Sequence, residues 1–472
     1  MFDPNAAQAT PSVPINRLVE EQLVRWYFLV GLGYLMLGML GGIFYGLQLI
    51  QLNPLDGTSE YLSPGRWRMI HTNLMAYGFI ANCFLGALHY AVPRLTLHPV
   101  LSTRFSYFIF AAWQAVVLAT ISGLMVGEAQ SLEWGETPVW IDPLALVGLG
   151  LVAVNFMAPT SKVKGPMYVT LWYFTAAYIW TVLTYAMGNF VPQYFVNGTA
   201  AGAVGGLFIH DLVGLFVTPL GWGLMYYMVP IILKKPMWSH GLSLVGFWGL
   251  AFFYPLTGIH HFLYTPIPMF LQYGAIVSTV AVELVVTTVL INFFATIWGS
   301  TRSLVVNVPI RFFYTGMILY FLTCLQCAFQ TTLTFQALIH FTDWVVGHAH
   351  MVMFGVFGLW LYGTVMYMYP RVVHRPWYSK TLNEANYWLS TVGIVTMSMD
   401  LIVGGLFQGQ YLNALKPWED YISVSVPFWV IRMFSGMFMF AGLVCFWINI
   451  ILTSFGPKVD PAAIAASDSA TA

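Results

Sequence analysis

The sequence predicts an all-α membrane protein of twelve transmembrane helices. Three observations carry this: the scarcity of charge, twelve apolar runs of spanning length, and the division of basic residues between alternate connections. Of 472 residues, 58% are hydrophobic and only 8% are charged, where a soluble domain carries roughly 25% charged residues. So few charges cannot cover the surface of a water-soluble protein of this size, and the bilayer is the natural solvent.

A spanning helix needs about 20 mostly apolar residues. Twelve such runs, bounded by Pro, Gly and charge, lie near 25–50, 67–93, 105–126, 143–161, 167–189, 200–231, 240–263, 268–299, 310–333, 343–369, 385–409 and 424–453. The implied organisation is a cytoplasmic N-terminal segment at 1–23, a twelve-helix domain at 24–455, and an Ala/Ser/Asp-rich, disordered cytoplasmic tail at 456–472. No soluble domain or short-period repeat interrupts it. Residues 1–20 are polar, and the apolar run behind them is too long for a signal-peptide core.

Alternating connections place fourteen of the eighteen Lys and Arg residues on the N-terminal side of the membrane. Arg66, Arg68, Lys416 and Arg432 fall on the other. The positive-inside rule then puts both termini in the cytoplasm. The net charge is zero, so nothing points to nucleic acid. Cys83, Cys324, Cys327 and Cys445 all lie inside apolar runs, which argues against a secreted disulfide framework. The Cys324-x-x-Cys327 pair reads as small buried thiols on a membrane helix.

Ionisable residues at membrane depth are costly and are therefore candidates for function. Six of the eleven histidines converge on one level. His71 sits just inside the second run, His210 about ten residues into the sixth, His260 and His261 at the outer end of the seventh, and His348 and His350 one to two turns into the tenth. At about 1.5 Å per residue, all six fall in roughly the outer half of a ~30 Å hydrocarbon layer. His348 and His350 are two residues apart, so about 200° apart around their helix, and one helix can serve two cofactors. His71 can pair with one of them as a bis-histidine haem site, and the other can ligate a haem with one side open. His210, His260 and His261 remain as a three-nitrogen cluster, which suits copper with an open position.

At this constellation the sequence resembles subunit I of the cbb3-type cytochrome c oxidases, within the haem–copper oxidase superfamily, over about Arg66 to Ser454. The motifs are R-W-R-M-I-H-T-N around His71, I-H-D-L-V-G-L-F around His210, Y-P-L-T-G-I-H-H ending at His261, H-F-T-D-W-V-V-G-H-A-H ending at His350, and V-I-R-M-F-S-G around Arg432. The resemblance implies the subunit I bundle of that superfamily in the bacterial cytoplasmic (inner) membrane, with reduction of O2 to water by electrons from cytochrome c, proton uptake and proton pumping. It implies that His71 and His350 ligate a low-spin haem b, that His348 is the proximal ligand of a high-spin haem b, and that His210, His260 and His261 bind copper. Tyr254 stands where the family has a tyrosine covalently linked to the first copper histidine, here His210. It lies seven residues before His261, two turns down the same helical face and roughly 10 Å deeper, from where its phenol would reach the pocket.

By the same resemblance, Arg68 and Arg432 pair with haem propionates, His340 lies near those propionates, and Glu128, in G-E-A-Q-S-L-E-W, binds calcium between them. Tyr226 and Ser243 match positions on a cytoplasmic proton route to Tyr254, and hydroxyls relay protons through water. The sequence has no C-x-x-C-H for covalent haem, so membrane-anchored cytochrome c subunits are expected partners.

Three residues depart from the cbb3 pattern. Gln326 replaces a glutamate near the high-spin haem, Asp211 replaces an asparagine after the first copper histidine, and Glu283 places a carboxylate in mid-span, where it could relay protons. Asp400 is a further membrane-depth acid without an assigned place. The competing reading is a nitric oxide reductase, a family that shares H-T-N-L and also carries a carboxylate in the eighth helix. Its non-haem iron uses a glutamate four residues after the first histidine. Here that position is Gly214, and those enzymes lack a counterpart of Tyr254. A transporter or a plain haem electron carrier is a more distant reading, since neither needs His210, His260 and His261.

Overall fold

The computed structural model describes residues 17–54, 60–460 and 464. Among the described residues, twelve helices of spanning length follow the twelve apolar runs. They are α1 (Glu21–Leu49), α2 (Pro64–Thr96), α3 (Thr103–Val126), α4 (Asp142–Thr160), α5 (Val169–Tyr194), α6 (Gly198–Leu233), α7 (His240–Phe262), α8 (Met269–Ile297), α9 (Val308–Gln330), α10 (Asp343–Val373), α11 (Lys380–Asn413) and α12 (Trp418–Phe455). Eleven are long and apolar enough to cross a bilayer. The twelfth, α5, has 26 residues but is diluted by Thr, Tyr and Asn. Short helices at Glu60–Leu62, Thr301–Val306 and Leu333–Ile339 sit in the connections. Helix α1 begins at Glu21, three residues ahead of the expected boundary. Residues 1–16 of the N-terminal segment and most of the 456–472 tail lie outside the described residues.

In lipid every backbone polar group must be satisfied within the chain, which only helices achieve for an open bundle. The histidine-bearing helices α2 and α10 are the most enclosed. Of their most apolar windows, 89% and 83% are buried within the bundle, against 28% for α3 and α4. Histidines can be carried there because neighbouring helices, not lipid, surround them.

An internal repeat that the sequence reading passed over joins the helices in pairs. Helices α2, α6 and α10 each end with a proline, then a left-handed residue four positions on, a second proline two further, and a capping serine three beyond that. The three sets are Pro93/Leu97/Pro99/Ser102, Pro230/Lys234/Pro236/Ser239 and Pro370/His374/Pro376/Ser379. Leu97, Lys234 and His374 have φ of 57°, 53° and 54°, the helix-ending αL geometry. Each serine side chain accepts a backbone N–H of the next helix, from Phe105, Leu242 and Leu382, as an N-cap. Asn292 and Asn449 tie the second and third turns down, each donating to its serine's carbonyl at 2.8 Å. Interhelical hydrogen bonds of this kind are worth ~0.6–2 kcal/mol in a bilayer.

The same three helices share a second feature. Each is α-helical through its histidines, then widens into a π segment: Leu74–Ile80 after His71, Leu212–Val217 after His210, and Met351–Gly358 after His350. π turns concentrate at functional sites because the extra residue per turn re-aims side chains.

Helix α7 corrects the sequence expectation of a regular spanning helix. It is α-helical only from His240 to Phe253, then passes through 3₁₀ turns at Tyr254–Leu256 and Gly258–Phe262. Pro255 removes a backbone donor and clashes with a continuing α-helix. Gly258 lets α6 approach: a Cβ there would lie 2.4 Å from the Gly206 carbonyl oxygen. Tyr254 and His261 therefore do not lie two turns apart on one helical face.

Candidate metal centre

The break in α7 brings His260 and His261 against His210 of α6. Ring centroids are 4.4 Å apart for His210 and His260, 5.1 Å for His210 and His261, and 4.7 Å for His260 and His261. One nitrogen of each lies within 4.8 Å of the others, and among the described residues this is the only such group of three or more His, Cys, Asp or Glu donors. A metal–imidazole bond is roughly 2.0–2.1 Å, so nitrogens sharing one ion sit up to about 4 Å apart. His210 Nδ1 and His261 Nε2, at 3.0 Å, meet this, and the widest separation is near it. The donor set is all imidazole, which fits copper.

Thr279 of α8 fixes one member of the cluster. Its hydroxyl donates to the Ala275 carbonyl at 2.7 Å, so toward His260 it can only accept. His260 Nδ1–H donates to it at 2.7 Å, which leaves Nε2 as the free lone pair.

Tyr254 reaches the cluster by the 3₁₀ turn. Its ring centroid is 4.8 Å from that of His210, with the planes 14° apart. The ring occupies the space in front of Gly214, where a Cβ would lie 1.6 Å from Tyr254 Cε1. A side chain at 214 and the phenol in this place exclude each other.

His71 faces His350, not His348. The two ring centroids are 6.3 Å apart and the planes differ by 23°. Two metal–imidazole bonds of roughly 2 Å each, with the half-widths of two rings, span about that distance. The pair therefore fits the two axial ligands of one haem iron. Both rings are oriented alike: Nδ1–H of His71 donates to the Gly38 carbonyl at 2.6 Å and that of His350 to the Val346 carbonyl at 2.8 Å, leaving Nε2 toward the gap. His348 points to the other side of α10. Its Nδ1 is 3.0 Å from Gln326 Oε1, and its Nε2 is 3.6 Å from Cys327 Sγ. It stands within electrostatic reach of His210 and His261, on the side of the imidazole cluster.

The remaining expected residues fall as follows. Arg68 is exposed and Arg432 is part-buried, both within electrostatic reach of His71. Arg432 Nη1 lies 3.9 Å from Asp343 Oδ1, while Asp343 Oδ2 accepts from Gln408 and Trp429, each at 2.7 Å. His340 is partly buried with its ring 4.1 Å from that of Phe341, and burial holds it below the ordinary histidine range. Glu128 is exposed and accepts from Trp140 Nε1 at 3.1 Å. Tyr226 and Ser243 do not touch directly; Tyr173 of α5 joins them. Its ring lies 5.9 Å from that of Tyr226, and its hydroxyl donates to the Ser243 carbonyl at 3.2 Å. Glu283 is half-buried in α8 within electrostatic reach of Tyr254, Cys324 and Cys327. Asp211 is buried beside His210 with Oδ1 unpartnered. Asp400 lies within electrostatic reach of Asp343 and Arg432.

Thr279, Tyr173 and Asp343 were not found as participants from sequence. A threonine or tyrosine in a membrane helix carries no pattern that reveals its partner. Asp343 stood inside the quoted H-F-T-D-W motif, but at a helix start, where an acid is ordinary.

Comparison with known proteins identifies the family. Residues 22–438 match the family described as Cytochrome C and Quinol oxidase polypeptide I. The chain is 28% identical over 438 residues to the cbb3-type cytochrome c oxidase subunit CcoN1 of Stutzerimonas stutzeri, covering 89% of this chain and 92% of that protein. It is 26% identical over 403 residues to cytochrome c oxidase subunit 1 of Rhodobacter capsulatus, covering 81% and 76%. In fold it is similar to a haem–copper terminal oxidase dimer solved by cryo-electron microscopy, with a TM-score of 0.80, 15% identity, and coverage of 93% of this chain and 85% of that one. With a family match that runs through every histidine of the centre, the chain belongs to the cytochrome c and quinol oxidase polypeptide I family, and is a haem–copper enzyme of the cytochrome c oxidase type.

Proposed function

We propose that the chain is the catalytic subunit of a cbb3-like respiratory terminal oxidase of a bacterial inner membrane. It reduces O2 to water with electrons from cytochrome c, and takes up and pumps protons. The observation that carries this reading is the joint placement of the three-imidazole cluster, Tyr254 against His210, and Gly214 beneath the phenol. His71 and His350 hold the low-spin haem b, His348 holds the high-spin haem b, and His210, His260 and His261 hold copper. Loaded in this way, the high-spin haem and copper supply the site and the electrons for O–O bond cleavage.

The chain's own residues do the rest. Thr279, Gly38 and Val346 fix imidazole tautomers so that the correct nitrogens face the metals. Tyr254 offers a phenolic proton beside the cluster. Tyr226 and Ser243 form the inner part of a proton route, and Glu283 adds a protonatable group near Tyr254. Arg68, Arg432 and His340 receive the propionates on the outer side, and Glu128 contributes to calcium binding there. Membrane-anchored cytochrome c subunits deliver the electrons.

The nitric oxide reductase reading needs a carboxylate ligand at position 214, and the same space here is filled by Tyr254. Metal and haem analysis of the purified complex, with O2 and NO turnover measured side by side, tests the choice. Copper with two haems b and dominant O2 turnover is expected. Iron in place of copper with dominant NO turnover overturns it. His210→Ala is expected to remove copper and leave the low-spin haem spectrum intact. Loss of that spectrum would show that the ligand partners are wrongly assigned.

A further inference from the structure

The imidazoles that would face iron are not held alike. His71 and His350 each give their Nδ1 proton to a main-chain carbonyl, Gly38 and Val346, which no substitution can remove. His348 is held by a side chain. Gln326, on α9, puts Oε1 3.0 Å from His348 Nδ1, and its neighbours complete a neutral strip against α10. Cys327 Sγ lies 3.6 Å from His348 Nε2, Gln330 Nε2 lies 3.9 Å from Cys327 Sγ, and Gln330 Oε1 accepts from Trp344 Nε1 at 2.8 Å.

The orientation of the amide matters. With the carbonyl oxygen toward Nδ1, that nitrogen carries the proton and Nε2 keeps its lone pair for a metal. With the amide reversed, Nδ1 would accept, Nε2 would be protonated, and the ring could not ligate. Gln326 thus selects the ligating tautomer. It does so as a neutral acceptor. A carboxylate at the same place would form a charge-assisted hydrogen bond about twice as strong. That bond would draw the proton away and make the imidazole a more basic, more electron-donating ligand. Hydrogen bonding behind an axial ligand is one of the protein's levers on haem potential.

We propose that Gln326 is a positioning residue for His348. It fixes the tautomer that presents Nε2, and, being uncharged, it keeps that imidazole a weak donor and so holds the high-spin haem at a more positive potential than an acidic residue at this place would. This rests on the reading of His348 as the axial ligand of that haem.

The test uses the purified complex and two readouts that do not depend on turnover: the iron–histidine stretching frequency of the reduced high-spin haem, and the midpoint potentials of both haems. Gln326→Glu is expected to raise the stretching frequency and move the high-spin potential to more negative values, while the potential of the His71–His350 haem stays where it was. Gln326→Met, close in size but without an acceptor for Nδ1–H, is expected to lower the stretching frequency. It serves as the second arm if the glutamate variant fails to assemble. An unmoved frequency in either variant, or an equal shift of both haems in Gln326→Glu, overturns the proposal. A wild-type complex with no histidine-ligated high-spin haem overturns the assignment of His348 as well, so the two failures are told apart.

Discussion

At the scale of single residues, two positions make separate claims, one about the centre and one about stability. Gly214 is one. A Cβ at this position would lie 1.6 Å from Tyr254 Cε1, closer than any packing tolerates, so the phenol must leave its place beside His210. Overpacking of a built core costs ~1–3 kcal/mol, which the bundle can absorb. Gly214→Ala is therefore expected to retain both haems while O2 turnover falls by at least about tenfold, ~1.4 kcal/mol in the barrier. Full turnover with normal haem content would show that the position of the phenol is not critical. Glu136 is the other. Its carboxyl is 3% exposed in the outer loop, with Oε2 accepting from Asn73 at 3.0 Å and Oε1 unpartnered. Burial pushes it above the usual carboxylate range. Between its unfolded and folded values the native state then binds more protons than the unfolded one, so stability falls as pH rises through that interval. Glu136→Gln keeps an acceptor for Asn73 and removes the charge. The variant should match the wild type in thermal unfolding below about pH 4.5 and exceed it at neutral pH; a difference independent of pH would refute the assignment.

At the scale of elements, the histidine helices are built to one plan. Each runs from an α-helical outer end through its histidines into a π segment, and closes on the proline, left-handed residue, proline and serine turn. The repeat was present in the letters of the sequence at a spacing of about 140 residues, too long for a search tuned to short periods. The π segments were not legible. Hydrophobic periodicity is lost where a helix is surrounded on all sides, as α2 and α10 nearly are, so nothing in the pattern marks the change of pitch. The 3₁₀ stretch of α7 was half legible. Pro255 announces a break, but whether Tyr254 then faces His210 depends on how closely α6 approaches at Gly258 and Gly206.

At the scale of the whole molecule, the charge asymmetry makes a claim about direction. Fourteen basic residues on one side against four on the other are the basis on which we propose that the imidazole cluster lies toward the outer face and both termini in the cytoplasm. A C-terminal fusion to a reporter that is active only in the cytoplasm should be active, and a fusion to a periplasm-dependent phosphatase should be silent. The reverse pattern would invert the bundle and place the proposed proton route through Tyr226 and Ser243 on the wrong side.

The sequence by itself determined the solvent, the number and order of the spans, and the six histidines. Each of these follows from composition, run length and the high cost of ionisable groups in hydrocarbon, which are properties of the chain before it folds. Helix spacing left open which histidine faces which; the resemblance paired His71 with His350 and set Tyr254 at His210, and only the tertiary structure shows those contacts, the phenol over Gly214, and Thr279 and Gln326 behind their imidazoles. These are contacts between helices far apart in the chain. They depend on helix rotation and breaks set by packing among all twelve helices, and no local pattern records them.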